Sequence, residues 1–249
     1  CLLSRGLGDV YKRQLVDLLI LRDETGAYNG YSGDVSSIIA ALGFIGGALA
    51  VWSTAKLLIT KNKEDMHLSH LKKEGKAKYA LLVAATIGAV IGFNLLFELL
   101  GVTNKSEAYT EVVSQQYSAH FIVGILVFGF ISPIAEELLF RGVIYGYLRR
   151  FMDLKLAIAL SALIFGVYHM NYVQGIYGFL IGCLMAYAYE YFGEFKMAVL
   201  VHVASNVLAY CLSYTAIAVT GWFGWPLCLS FLAVAVVSLG MLHKQKNIF

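Results

Sequence analysis

Seven long apolar runs, separated by short polar segments, dominate the chain. They lie near residues 35–60, 79–101, 119–148, 154–171, 173–193, 196–220 and 223–243. A helix needs roughly 20 apolar residues to cross a bilayer, and the runs lack the period-two alternation that is typical of strands. Because backbone inside lipid must satisfy its own hydrogen bonds, we predict an all-α, polytopic membrane helix bundle. We expect about seven to eight transmembrane helices, the eighth lying toward the N-terminus.

Composition supports the same class. Of the 249 residues, 59% are hydrophobic and only 14% are charged, and the mean hydropathy is +0.70. A soluble domain of this length would need more charge to cover its surface. Four cysteines are present, and Cys183, Cys211 and Cys228 fall within apolar runs, where a thiol behaves as a small hydrophobic group. The expected surroundings are therefore the lipid bilayer, with no nucleic-acid partner.

The N-terminus carries a sequence that is expected to have a different origin, the alternative being a short basic leader. Ser4 to Gln14 (SRGLGDVYKRQ) match, letter for letter, one reading frame of a transposase adapter used to prepare sequencing libraries. We expect residues 1–14 to be a read-through artefact, and such a tail carries no information on the fold. The remaining residues, 15–249, are expected to form a single transmembrane domain.

Positively charged residues sort to one side of the predicted bundle. If each run crosses once, twelve Lys and Arg residues share one side and only Arg22 and Lys105 lie on the other. Positive charge stays cytoplasmic, so the loop 61–78 and the C-terminus are expected inside a bacterial plasma membrane. The twelve are Lys61, Lys63, Lys72, Lys73, Lys76, Lys78, Arg149, Arg150, Lys155, Lys196, Lys244 and Lys246.

Three polar motifs interrupt these apolar runs. They are Glu136-Glu137-x-x-x-Arg141, then Phe165-x-x-x-His169, and then His202-x-x-x-Asn206. An ionisable group at membrane depth is costly unless it is paired or hydrated, so each motif indicates a functional site. Glu98, Glu190 and Glu194 lie near the ends of apolar runs and are instead expected to be solvated or to snorkel toward the membrane surface.

The spacing of the first motif separates the roles of its two glutamates. Neighbouring residues point about 100° apart on a helix, so Glu136 and Glu137 cannot share one face. Glu137 precedes Arg141 by four residues, the favourable order for an ion pair, which predicts a buried structural pair and leaves Glu136 free to meet other helices. Just before them, Ser132-Pro133 is expected to kink the helix.

Each polar residue of these motifs, taken alone, could have a purely structural role. A purely structural role does not account for all of them together. A single intramembrane histidine often only hydrogen-bonds across helices, and Phe165 is expected to pack and to help shape a pocket. We predict that Glu136, His169, His202 and Asn206 line one water-accessible cavity. This cavity should be reached from the cytoplasmic side or between helices.

The three motifs, in this order on successive helices, resemble the CPBP family of intramembrane proteases. That family includes the type II CAAX prenyl endopeptidases and proteins linked to bacteriocin self-protection. In this chain the motifs read EELLFR (136–141), FGVYH (165–169) and HVASN (202–206), and the resemblance covers a core of about 119–210. It implies that Glu136 is the general base for water and that His169 helps to hold this water. His202 and Asn206 would then stabilise the oxyanion.

Two mechanisms fit these residues equally. Glu136, His169 and His202 could form a three-ligand zinc site, in which Zn²⁺ would lower the pKa of a bound water. A metal-free mechanism based on the glutamate uses the same side chains. The expected substrate is a membrane-associated peptide or protein, which could carry a lipid.

Two other functional classes compete with the protease. One is a membrane transporter or channel, in which Glu136 and the histidines would relay protons; inverted repeats would support it, and the sequence shows none. The other is a non-catalytic membrane scaffold with the same fold, which the complete set of four polar residues disfavours.

Overall fold

The computed structural model describes residues 30–65, 75–215 and 224–245. These residues form eight α-helices and no strand, with one 3₁₀ turn at Thr103–Lys105. The helices are α1 (Gly30–Asp65), α2 (Lys76–Leu99), α3 (Glu107–Gln116), α4 (Phe121–Phe151), α5 (Leu154–Tyr168), α6 (Tyr172–Phe192), α7 (Phe195–Thr215) and α8 (Gly224–Lys244). The adapter-like residues 1–14 and the middle of the loop 61–78 lie outside the described ranges.

The predicted all-α membrane bundle is confirmed. Six helices (α1, α2, α4, α6, α7 and α8) are long and apolar enough to cross a membrane, and α5 is a shorter apolar helix. The seven helices correspond to the seven apolar runs. Large apolar side chains such as Leu42, Leu49 and Val236 are exposed, as expected of surfaces that face lipid.

The helix α3 was not predicted. It lies in the polar connection 100–120, where no apolar run marks a helix. Ser106 caps its first turn, because the Ser106 hydroxyl accepts a hydrogen bond from the backbone N–H of Tyr109 at 3.2 Å. A serine followed by an acidic residue is a typical helix start, so the local signal was present.

The helix α4 carries the first motif and changes its winding around it. Two π-helical stretches, Ile125–Ile131 and Leu138–Tyr145, flank an α-helical segment at Ser132–Glu137. In π turns each N–H reaches the carbonyl five residues back, a geometry frequently found at functional sites. The helix therefore continues through Pro133, with π turns on both sides of the segment that contains it, and the predicted kink stays a prediction.

Glycines allow the close approach of α2 and α8. A Cβ at Gly88 would lie 2.6 Å from the backbone oxygen of Phe231, and a Cβ at Gly92 would lie 2.6 Å from the Leu232 side chain. The Cys228 thiol also donates to the Gly92 carbonyl at 3.4 Å. Small residues four apart bring membrane helices into backbone contact, and this pair anchors α8 to the bundle.

Candidate active site

One cavity of about 310 Å³ contains the four residues that the motifs predicted to converge. Glu136 reaches it from α4, His169 from the end of α5, and His202 and Asn206 from α7. The lining also includes Phe44, Asn94, Phe97, Thr103, Tyr109, Val112, Val113, Gln116, Tyr117, Phe128, Ser132, Phe165, Tyr168, Val173, Gln174, Tyr177, Gly178, Ile181, Met185, Ala209, Tyr210 and Ser213. Among these described lining residues Glu136 is the one carboxylate, and none is a lysine or an arginine.

Glu137 lies behind the cavity and joins two helices. Its Oε1 accepts a hydrogen bond from Arg141 Nη1 at 2.8 Å, and both side chains are fully buried. The same oxygen lies 2.8 Å from His202 Nδ1 on α7. The spacing of the sequence predicted the contact with Arg141, whereas the contact with His202 joins residues 65 positions apart and has no local signal.

Arg141 is held on three sides. Besides Glu137, its Nη2 donates to the Gly182 carbonyl at 2.9 Å, and its guanidinium lies 4.8 Å from the centre of the Phe165 ring. A side chain at Gly182 would meet the Arg141 guanidinium, since a Cβ there would lie 3.0 Å from Nη2. A buried charge is tolerable only with such partners, so the position of Arg141 fixes that of Glu137.

The contact with Glu137 determines the tautomer of His202. A carboxylate paired with arginine only accepts hydrogen bonds, so Nδ1 of His202 carries the proton. The other ring nitrogen, Nε2, faces the cavity and lies 3.7 Å from Glu136 Oε2. Neutral His202 thus presents a lone pair to the cavity, and protonated His202 presents an N–H donor between two carboxylates.

Glu136 has a hydrogen-bond donor that the sequence analysis missed. The Ser132 hydroxyl donates to Glu136 Oε1 at 2.5 Å. The Glu136 side chain remains 11% exposed, in contrast to the fully buried Glu137. The four-residue spacing of Ser132 and Glu136 on one helix is the signal that could have revealed this contact.

His169 lies at the end of α5 and faces the same cavity. Its Nδ1 lies 2.9 Å from the Phe165 carbonyl, which can only accept, so Nδ1 carries the proton and Nε2 is the acceptor. His169 makes no direct hydrogen bond to Glu136. Both imidazoles contact the Phe165 ring edge to face, with centroids at 4.8 Å for His169 and 5.4 Å for His202.

Asn206 is oriented by the backbone of α4. Its Nδ2 donates to the Phe128 carbonyl at 2.9 Å. An amide nitrogen has two donors, so one N–H and the side-chain oxygen remain available to the cavity. Phe128 precedes the first motif by two turns, which places Asn206 beside the face of α4 that carries Ser132 and Glu136.

The metal site that the sequence allowed does not fit the geometry. Chemically the donors are suitable, because each histidine has its Nδ1 bonded to an acceptor and its Nε2 free, as in many zinc sites. Yet no group of three His, Cys, Asp or Glu side chains in the described part of the chain is placed to hold a metal ion. The mechanism proposed for this site therefore uses no metal ion.

Glu190 corrects one expectation. It is buried, with 6% of its surface exposed, whereas its position near a helix end suggested a solvated side chain. Its carboxylate accepts hydrogen bonds from the Tyr145 hydroxyl at 2.5 Å and from Arg149 Nε at 3.0 Å. It therefore ties α6 to α4, since a carboxylate without partners could not remain buried.

The lining residues locate the cavity along the bundle. Phe165, Ile181, Met185 and His202 are buried, as are Tyr117 and Tyr210, whereas Gln116 and Gln174 are partly exposed. We call the end of the bundle that carries the connection 100–120 the mouth end. We call the opposite end the basic end, because it carries Arg149, Arg150, Lys155, Lys196 and Lys244. The described lining lies in the half of the bundle away from the basic end, and the route expected from the cytoplasmic side or between helices stays a prediction.

Comparison with known proteins identifies a family. Residues 118–208 match the model of the family described as type II CAAX prenyl endopeptidase Rce1-like. The comparisons with curated proteins and with solved structures gave no match. The matched segment covers somewhat more than a third of the chain and contains all three motifs. The family that the motifs predicted is thus confirmed over residues 118–208, which are similar to the type II CAAX prenyl endopeptidases.

Proposed function

We propose that this protein is an intramembrane endopeptidase that hydrolyses a peptide bond of a membrane-associated peptide or protein. The observation that carries the proposal is the convergence of Glu136, His169, His202 and Asn206 on one cavity. Hydrolysis of an amide needs a base for water and donors for the oxyanion, and these four side chains supply both.

Glu136 is the general base. It is the one carboxylate in the described lining of the cavity, and the Ser132 hydroxyl holds one of its oxygens. A water that donates one hydrogen to Glu136 and the other to His169 Nε2 keeps a lone pair directed at the substrate carbonyl. In this arrangement His169 orients the water, and Glu136 removes its proton as the C–O bond forms. Glu136 then passes this proton to the nitrogen of the leaving amine as the C–N bond breaks.

His202 and Asn206 stabilise the oxyanion. His202 donates through Nε2 in its protonated form, in which Glu136 and Glu137 flank the imidazolium. Asn206 donates through the N–H that the Phe128 carbonyl does not use. Donors fixed in advance in a site with little water are often the largest contribution to catalysis.

Glu137 and Arg141 act as positioning residues. Glu137 fixes the Nδ1 proton and the orientation of His202, and Arg141 fixes Glu137. Phe165 packs between the guanidinium and the two imidazoles. These three residues shape the site without contact with the scissile bond.

Hydrolysis in H₂¹⁸O by the purified protein in lipid nanodiscs tests this proposal. The substrates are a set of apolar peptides, with and without a prenylated C-terminal cysteine, and mass spectrometry reads the products. We expect one ¹⁸O in each new carboxyl group, the same rate with or without a metal chelator, and no product with Glu136→Gln. Products that persist with Glu136→Gln would contradict the role of Glu136, and a loss of activity on chelation that zinc restores would contradict the metal-free mechanism.

A further inference from the structure

His169 differs from the other three residues of the site because it lies in a turn between two helices, at the mouth end of the bundle. The helix α5 ends at Tyr168 and α6 begins at Tyr172, so His169, Met170 and Asn171 alone connect them. The other three site residues lie within helices, where backbone hydrogen bonds hold them. The position of His169 therefore depends on how this turn is stabilised.

The backbone of this turn is strained at Met170. Its φ is 57°, and among the described residues it is the one non-glycine residue with a positive φ. This conformation brings Cβ too close to the following carbonyl oxygen, so side chains other than that of glycine disfavour it. Met170 is 85% exposed, and packing of its side chain therefore does not hold the turn. Such a conformation persists only where the surrounding contacts impose it.

The side chain of Asn171 supplies these contacts. Its Nδ2 donates to the His169 carbonyl at 3.0 Å and to Gln174 Oε1 at 2.6 Å. Its Oδ1 accepts from the backbone N–H of Gln174 at 2.9 Å and so caps the first turn of α6. An amide has two donor hydrogens and an acceptor oxygen, and all of them have partners here. The reverse orientation of the amide would set its oxygen against the His169 carbonyl, so the contacts assign the two atoms.

The backbone carbonyl of His169 links the turn to the site. Because His169 follows the last residue of α5, its carbonyl lacks the partner that a helix would provide, and Asn171 takes this place. On its other side, His169 is fixed to α5 through two bonds. The backbone N–H donates to the Gly166 carbonyl at 3.2 Å, and Nδ1 of the imidazole donates to the Phe165 carbonyl at 2.9 Å.

The close packing of α5 against α6 makes the site sensitive to a shift of this turn. A Cβ at Gly166 would lie 2.5 Å from the Gly175 carbonyl oxygen, so the two backbones are in contact beside the turn. A Cβ at Gly178 would lie 3.6 Å from Cε1 of His169. The imidazole thus packs directly on α6, and a change in the turn moves it relative to the cavity.

We infer that Asn171 is a positioning residue for His169 and keeps the imidazole Nε2 directed at the attacking water. This inference rests on the proposed peptidase function. Asn171 is not among the residues that line the cavity, and it acts through the His169 carbonyl. Without this hydrogen bond the turn is free to leave its strained conformation, and His169 no longer orients the water. Because the remaining cavity lining is unaltered, the loss falls on kcat and leaves KM nearly unchanged.

Three variants separate this role from the capping of α6. Asn171→Asp keeps an oxygen that caps α6 and loses the donor to the His169 carbonyl, whereas Gln174 can turn its amide to donate to the new carboxylate. Asn171→Ala loses both the cap and the donor. Asp153→Ala is the matched control, because Asp153 caps the other end of α5 by accepting from the Leu156 N–H at 3.0 Å and does not line the cavity.

Kinetics and thermal unfolding in lipid nanodiscs give different results for the two roles. We expect kcat to fall roughly tenfold in both Asn171 variants, as for the loss of about one hydrogen bond, and to stay unchanged in Asp153→Ala. The unfolding midpoint should fall in Asn171→Ala and Asp153→Ala and stay near wild type in Asn171→Asp. All variants are also made with Met170→Gly, which removes the steric cost of the positive φ, and the same order of kcat is expected. A wild-type kcat in Asn171→Asp would overturn the inference and leave Asn171 as a cap only.

A measurement on the histidines separates this inference from the peptidase function, because it requires no cleavage. The imidazole ¹⁵N NMR signals of protein labelled with ¹⁵N-histidine are assigned by their loss in His169→Gln and His202→Gln. We expect Asn171→Asp to shift or broaden the His169 signals and to leave those of His202 in place, and Asp153→Ala to leave both. Unchanged His169 signals in Asn171→Asp would overturn the inference. Shifted His169 signals in a protein that cleaves no peptide would overturn the peptidase function alone.

Discussion

At the level of single residues, the two glutamates of the first motif occupy different surroundings. Glu136 and Glu137 are neighbours in sequence, yet one lines the cavity and the other is fully buried behind it. The helical angle between adjacent residues is sufficient to produce this division. Each carboxylate then has its own partner on α4, Ser132 for Glu136 and Arg141 for Glu137.

Replacement of Glu137 by glutamine is expected to destabilise the protein. Arg141 would keep its buried charge without a counterion, a loss of about 3–5 kcal/mol when a buried pair is broken. Glu136→Gln removes only a proton acceptor and is expected to leave the unfolding midpoint nearly unchanged. Thermal unfolding in detergent measures both variants, and equal losses of stability would contradict the separate roles of the two glutamates.

Replacement of Ser132 by alanine is expected to lower activity and spare the fold. The hydroxyl holds Glu136 Oε1 at 2.5 Å, and hydrogen bonds to charged groups are worth about 1.5–3 kcal/mol. We therefore expect kcat to fall roughly tenfold or more. Ser114→Ala, an exposed serine on α3, is the matched control. An unchanged kcat in Ser132→Ala would show that Glu136 does not depend on this donor.

At the level of helices, the apolar runs predicted almost all of the fold. The predicted run 79–101 became α2 at Lys76–Leu99, and the run 173–193 became α6 at Tyr172–Phe192. Hydrophobicity is sufficient to locate such helices, because a backbone inside lipid must satisfy its own hydrogen bonds, and few structures other than a helix do so. The helix α3 was missed because its ten residues are mostly polar and lie in a connection.

The contact between α2 and α8 offers a prediction at this level. Gly88→Ala would place a Cβ 2.6 Å from the Phe231 carbonyl oxygen. This oxygen belongs to the backbone, so it cannot rotate away as a side-chain atom could. We expect a loss of about 1–3 kcal/mol, as for other overpacked sites. Gly240→Ala on α8 is the control, because a Cβ there has no neighbour within 4 Å. Unfolding in detergent measures both, and equal stability of the two variants would contradict the tight contact.

At the level of the whole molecule, the sequence predicted which side chains converge but not how they connect. Glu136, His169, His202 and Asn206 were identified because polar residues are rare in lipid-spanning helices, and all four line the cavity. The contacts from His202 to Glu137 and from Asn206 to the Phe128 carbonyl were not predicted. Such contacts depend on helix rotation and on backbone acceptors, which leave no pattern along a chain.

The position of the cavity along the bundle is also a property of the whole molecule, because it depends on which helix halves pack together. Buried side chains of α4, α5 and α6, such as Tyr145, Phe165 and Met185, fill the half of the bundle toward the basic end.

The most direct test of the account compares peptide termini in membranes from cells that express the wild type, Glu136→Gln or Glu111→Gln at equal abundance. Glu111 is an exposed glutamate on α3 and serves as the matched control. Mass spectrometry of membrane proteins and released peptides should find new termini with the wild type and with Glu111→Gln that are absent with Glu136→Gln. The same termini in cells that express Glu136→Gln would show that this cavity does not cleave peptides through Glu136.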